Sequence, residues 1–64
     1  MLTAAERAIL QLLARAASTK AIAAQTRRSP RTVDTHIRSM CQKLRCNGRR
    51  EVVAIATGEG WVQS

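Results

Sequence analysis

Ser29 followed by Pro30 opens the longest amphipathic stretch of the chain, and it leaves that stretch one way to fold. The serine oxygen can cap a free amide of the first helical turn. The proline has φ preset for a helix and lacks an N–H that would have no partner there anyway. A helix started in this way runs over about 30–45. Asn47 and Gly48 follow, and both tolerate the positive φ that ends a helix. At about 100° per residue, Val33, Ile37, Met40, Cys41 and Leu44 gather on one side. Arg31, Thr35, Arg38, Ser39 and Gln42 gather on the other. One face must therefore be buried by other parts of the chain, and the chain has only 64 residues to do it. That length gives one domain with a limited core and argues against a deep-cleft enzyme.

The covering elements are also readable as helices. Thr3 and Glu6 stand at capping-box spacing, and Ile9, Leu12 and Leu13, with Leu10 at the margin, make an apolar stripe. A first helix is expected over about 4–16. Ser18 caps a second, over about 18–26, whose small Ala21, Ala23 and Ala24 permit close helix packing. The fourth segment, about 48–57, carries Val52, Val53, Ile55 and Ala56. Its β-branched residues suit a strand, but a single strand has no partner here, so a helix is expected. Eleven alanines favour helices throughout. The expected fold is all-α, four helices in one domain spanning residues 1–64.

Charge narrows the partner. The formal charge is +7, a strong basic bias for so short a chain, and it points to a polyanion. The charge is also localised. Between Lys20 and Arg50 stand nine basic residues and one acid, Asp34; outside that span stand two basic residues and three acids. A 45% hydrophobic content is too high for a disordered basic tail. Two cysteines do not make a disulfide scaffold, and no apolar run spans a bilayer. The N-terminus lacks the form of a secretory signal. A short helix, a tight turn and a polar-faced longer helix make a helix-turn-helix, whose second helix lies in the major groove of DNA.

Several motifs then become specific: LT..E at Leu2–Glu6, IL.LLA at Ile9–Ala14, S.K.IA at Ser18–Ala23, S.RTV..H at Ser29–His36 and KL at Lys43–Leu44. Arg50 to Gly58 adds an Arg followed by E.V..A and G in similar register. Over Leu2 to Val62 the chain resembles the LuxR-type, or GerE-like, helix-turn-helix DNA-binding domain. The resemblance implies a bacterial transcriptional regulator with the recognition helix at 30–45. It places Asp34, Thr35 and Arg38 toward the bases, where Thr35 can offer a methyl to thymine and Arg38 can bind guanine or a phosphate. Asp34 suits a cytosine amine, the orientation of a neighbouring Arg, or simply the positive end of the helix dipole. Lys43 matches a position associated with the phosphate backbone. Lys20, Arg31 and Thr32 are expected phosphate contacts by charge and position. The fourth helix commonly makes the dimer contact, which would fall on Arg50, Val53, Ala54 and Thr57 and give a weak homodimer formed mostly on DNA.

This chain departs from the family pattern at particular positions. A common Gly before the second helix is Ala16, and the Gly usual after KL is Arg45. Common charged residues are replaced by Ala5, Ala8 and Ala21, and two usually apolar turn positions hold Thr26 and Arg28. Arg28 is expected to snorkel to solvent and to be available to a phosphate. His36 has no acid or thiol at metal-ligand spacing and is expected to pack. Cys41 and Cys46 are expected as reduced, buried thiols, and Trp61 as a lid across the first helix.

The reading is a sequence-specific DNA-binding regulator acting in the cytoplasm on the nucleoid. No enzyme activity, metal, cofactor or membrane contact is expected. The length leaves no room for a sensing domain, so the signal would arrive from a missing N-terminal part, from a partner regulator or from control of the protein's amount. Two rivals remain: a helix-turn-helix scaffold that binds a partner protein or blocks a related regulator, and a basic amphipathic segment on anionic membrane.

Overall fold

The computed structural model describes residues 2–62, and within them the chain forms four helices: α1 (Ala4–Ala14), α2 (Thr19–Thr26), α3 (Pro30–Leu44) and α4 (Arg49–Gly58). The sequence signals explain their starts. Thr3 Oγ1 accepts from the Glu6 amide at 3.1 Å, and Glu6 Oε1 accepts from the Thr3 amide at 2.8 Å, which completes the capping box. Ser18 and Ser29 each accept an amide three residues on, at 3.1 Å. Gly48 caps α4 without a side chain; Glu51 instead reaches back to the Asn47 amide at 2.9 Å.

The helices bury Ile9, Leu10 and Leu13 from α1, Ile22 and Ala23 from α2, Val33, Ile37 and Met40 from α3, and Val52 and Ala56 from α4. Val62 closes the core at the end of the chain. Two sequence expectations change. Leu10, placed at the margin of the first stripe, is fully buried, and Leu12 is only half-buried. Trp61, expected as a lid, remains 44% exposed; its carbonyl accepts from Gln11 Nε2 at 3.1 Å, and Val62 does the sealing.

Glu6 is the exception in this core. It is a carboxylate only 1% exposed, on the same helical face as Ile9, Leu10 and Leu13. A buried charge is tolerated only when paired and hydrogen-bonded. Glu6 Oε1 takes both the Thr3 amide and Lys43 Nζ, the latter at 2.7 Å from α3. Burial by itself would raise its pKa. The Lys43 ammonium, the Thr3 amide and the Ser39 hydroxyl outweigh that and bring it down from 4.5 to about 2.

The helix ends share one geometry. In each, an amide reaches back five residues to a carbonyl: Ala17 to Leu12, Arg28 to Ala23, Cys46 to Cys41 and Trp61 to Ala56, at 3.1, 2.9, 3.0 and 2.9 Å. This Schellman closure needs a residue in the left-handed region just before that amide. Gly60 supplies it after α4, but Ala16, Arg27 and Arg45 supply it elsewhere, at φ 61, 57 and 55. The early end of α1, at Ala14 instead of Ala16, follows from the same closure. The family glycines missing at 16 and 45 are therefore missing where a side chain is strained.

The altered turn between α2 and α3 is satisfied by its own polar groups. Thr26 Oγ1 donates to the Ile22 carbonyl at 2.7 Å, and Arg28 Nη1 donates to the Thr26 carbonyl at 3.1 Å. Arg28 is thus half-buried against the turn, not extended into solvent as expected.

Two outcomes follow from these contacts. Because the folded pKa of Glu6 lies below its unfolded value, its contribution is complete above about pH 4.5 and is lost as pH falls through about 2. It amounts to roughly 3 kcal/mol at most; denaturant titrations at a series of pH values should show that loss, and Glu6→Gln should flatten it. Ala16→Gly and Arg45→Gly should each stabilise by about 0.5–1 kcal/mol, read as rises in Tm that add in the double variant.

Candidate nucleic-acid interface

The buried side of α3 fixes where its other side points. With Val33, Ile37 and Met40 in the core, Arg31, Thr32, Asp34, Thr35, Arg38 and Gln42 stand exposed along one surface. Ser39, assigned to the polar face from the sequence, is half-buried, and its hydroxyl helps to hold the Glu6 pKa down. His36 is half-buried as well.

The N-terminus of α3 leaves one backbone donor open. Ser29 Oγ accepts the Thr32 amide, and its carbonyl accepts the Val33 amide at 3.1 Å. Pro30 has no amide proton, so Arg31 carries the one first-turn donor without a protein partner among the described residues. Thr35 Oγ1 donates to the Arg31 carbonyl at 3.1 Å, which leaves its methyl and oxygen lone pairs for a partner. Thr32 Oγ1 lies 2.9 Å from Ser29 Oγ.

Charge around this face is largely uncommitted. Among the described residues Lys43–Glu6 is the one ion pair, so Lys20, Arg31, Arg38 and Arg50 are not neutralised by any carboxylate. Asp34 is exposed and forms no ion pair among the described residues. Lys43, expected at a phosphate, has its ammonium on Glu6 and its side chain 35% exposed. Arg49 Nη2 donates to Thr19 Oγ1, tying the start of α4 to the start of α2 beside Lys20. Sequence reasoning found Glu6 as a cap but missed its burial and its pairing with Lys43, and it missed the role of Arg49. The signal for Glu6 was present, since it precedes Ile9, Leu10 and Leu13 by three, four and seven residues. Arg49 carried no comparable signal, because its partner is thirty residues away.

The expected dimer residues are split. Arg50, Ala54 and Thr57 are exposed on α4, while Val53 is half-buried and packed against the core.

A short helix, a three-residue turn and a longer helix with a basic, unpaired outer face define a helix-turn-helix DNA-binding domain. The bacterial regulatory proteins of the luxR family match residues 1–56, and the chain belongs to that family. It is similar to a solved structure described as a transcription factor, GerE, with 40% identity and a TM-score of 0.90, covering 97% of this chain and 92% of that one. No curated protein matches the chain. Family and fold together make it a DNA-binding transcriptional regulator and do not favour the protein-interaction module. No helix among the described residues is long and apolar enough to cross a membrane.

Lys43→Ala would strand the Glu6 carboxylate in the core. The expected loss is about 1–2 kcal/mol, less than for a fully buried pair because Lys43 is partly solvated. The acid midpoint of unfolding should move to higher pH, as followed by circular dichroism.

Proposed function

We propose that residues 1–64 act as one DNA-binding domain whose helix α3 enters the major groove and reads a specific site. The observation that carries this reading is the outer face of α3, where Arg31, Thr35 and Arg38 are exposed and free of ion pairs directly behind a fully buried apolar face. Arg38 is suited to guanine O6 and N7, Thr35 to a thymine methyl and Asp34 to a cytosine amine. Arg31, Thr32 and Lys20 flank them as phosphate contacts, helped by the free Arg31 amide. Lys43 belongs to this set by position, although Glu6 already shares its charge. In this reading Lys43 chiefly holds α3 against α1 and contributes least to the phosphates.

Two copies pair weakly through Arg50, Val53, Ala54 and Thr57 on a palindromic site, with the exposed Ala54 and Thr57 supporting that assignment. The regulator works in the cytoplasm on nucleoid DNA, performs no catalysis and takes its signal from a preceding segment or a partner regulator.

The test is a salt titration on a duplex selected from a random pool. Arg38→Ala should weaken binding to the selected site by about 1–3 kcal/mol while sparing non-specific DNA. Lys20→Ala should weaken binding to all sequences and flatten the log K against log salt slope by about one unit. At saturation a palindromic duplex should carry two copies. If neither variant changes affinity for any duplex, the reading fails.

A further inference from the structure

The end of α3 holds a pair of groups that DNA binding does not use. The Cys46 amide donates to the Cys41 carbonyl at 3.0 Å, with Arg45 left-handed between them. In a Schellman closure the side chains at the two ends of that backbone bond meet, usually as an apolar contact. Here both ends are cysteine. Both thiols are free, half-buried and packed against the core on the side away from the exposed face of α3. Burial pushes the Cys46 thiol up, and the neighbouring Cys41 adds to the rise, so the two groups are within each other's influence. A disulfide needs Cα atoms roughly 4.4–6.8 Å apart, and the bond from the Cys46 amide to the Cys41 carbonyl folds the chain back so that the two residues lie together.

We propose that Cys41 and Cys46 are a dithiol–disulfide site, with a small organic disulfide as co-substrate, that clips the C-terminal end of the recognition helix to the link leading into α4. The Cys41 thiolate attacks one sulfur of the small disulfide; one small thiolate leaves and takes up a proton. Cys46, deprotonated in turn, attacks the Cys41 sulfur of the mixed disulfide and releases the second small thiol. Two protein thiols are oxidised, and one small disulfide is reduced to two thiols.

The product closes a six-residue loop around the left-handed Arg45. It restricts the unfolded chain and holds a conformation that a non-glycine residue adopts under strain. The expected gain is a rise in Tm on the order of 10 °C.

The test uses the reduced full chain incubated with excess oxidised glutathione. The expected product is a monomer lighter by two hydrogen atoms, without free thiols or glutathione adduct, with raised Tm and full reversal by dithiothreitol. Cys41→Ser and Cys46→Ser should each stop at the mixed disulfide with no rise in Tm. Persistent glutathione adducts on the native sequence, disulfide-linked dimers, or two thiols that survive the incubation would each overturn the proposal. None of these outcomes bears on DNA binding by the exposed face of α3, so the two readings fail separately.

Discussion

A single carboxylate oxygen ties the N-terminal cap of α1 to the recognition helix. Glu6 Oε1 accepts the Thr3 amide and the Lys43 ammonium at once, from a site with almost no access to water. The local task, closing a capping box, and the long-range task, holding α3, are met by one atom. A buried ion pair is often no better for stability than apolar packing. What this pair adds is direction. It ties α3 to α1 beside Ile9, Leu10 and Leu13, and so reinforces the orientation already set by the buried Val33, Ile37 and Met40. The exposure of Arg31, Thr35 and Arg38 follows from that orientation.

The helix ends show a second constraint. All four close by the same backbone pattern, yet three of the four left-handed residues carry side chains. The departures from the family pattern at Ala16 and Arg45 do not remove contacts; they add backbone strain. At Arg27 and Arg45 the strained residue is also basic and exposed, lying in the turn before α3 and just after its end. Positive charge is thereby added on both sides of the proposed DNA-facing surface, at some loss of stability.

Local features were the legible ones. Ser29–Pro30, Ser18 and Thr3–Glu6 each mark a helix start by chemistry within three residues, and the structure uses all three caps. The α3 face was legible because its apolar period is regular over fifteen residues. Long-range and conformational features were less so. Lys43 was read by family position as a phosphate contact; its contact with Glu6 is an added role, to which Glu6, a polar residue inside an apolar stripe, was the clue. Trp61 was read as a lid across the first helix, but the closing turn after α4 turns Val62 inward instead. Arg28 was read as reaching solvent, and its nearest acceptor proved to be the carbonyl two residues back.

The account therefore rests on geometry at two levels. A buried salt bridge and four core-facing stripes orient α3, and the residues left outside carry unneutralised positive charge and free hydrogen-bonding groups. Amide and guanidinium NMR shifts, followed while a selected duplex is titrated into labelled protein, test this most directly. The largest changes should fall on Arg31, Thr32, Thr35 and Arg38, with Lys20 at the edge and the Glu6–Lys43 contact unmoved. Changes confined to α1 and the outer side of α4, or none at all, would contradict it.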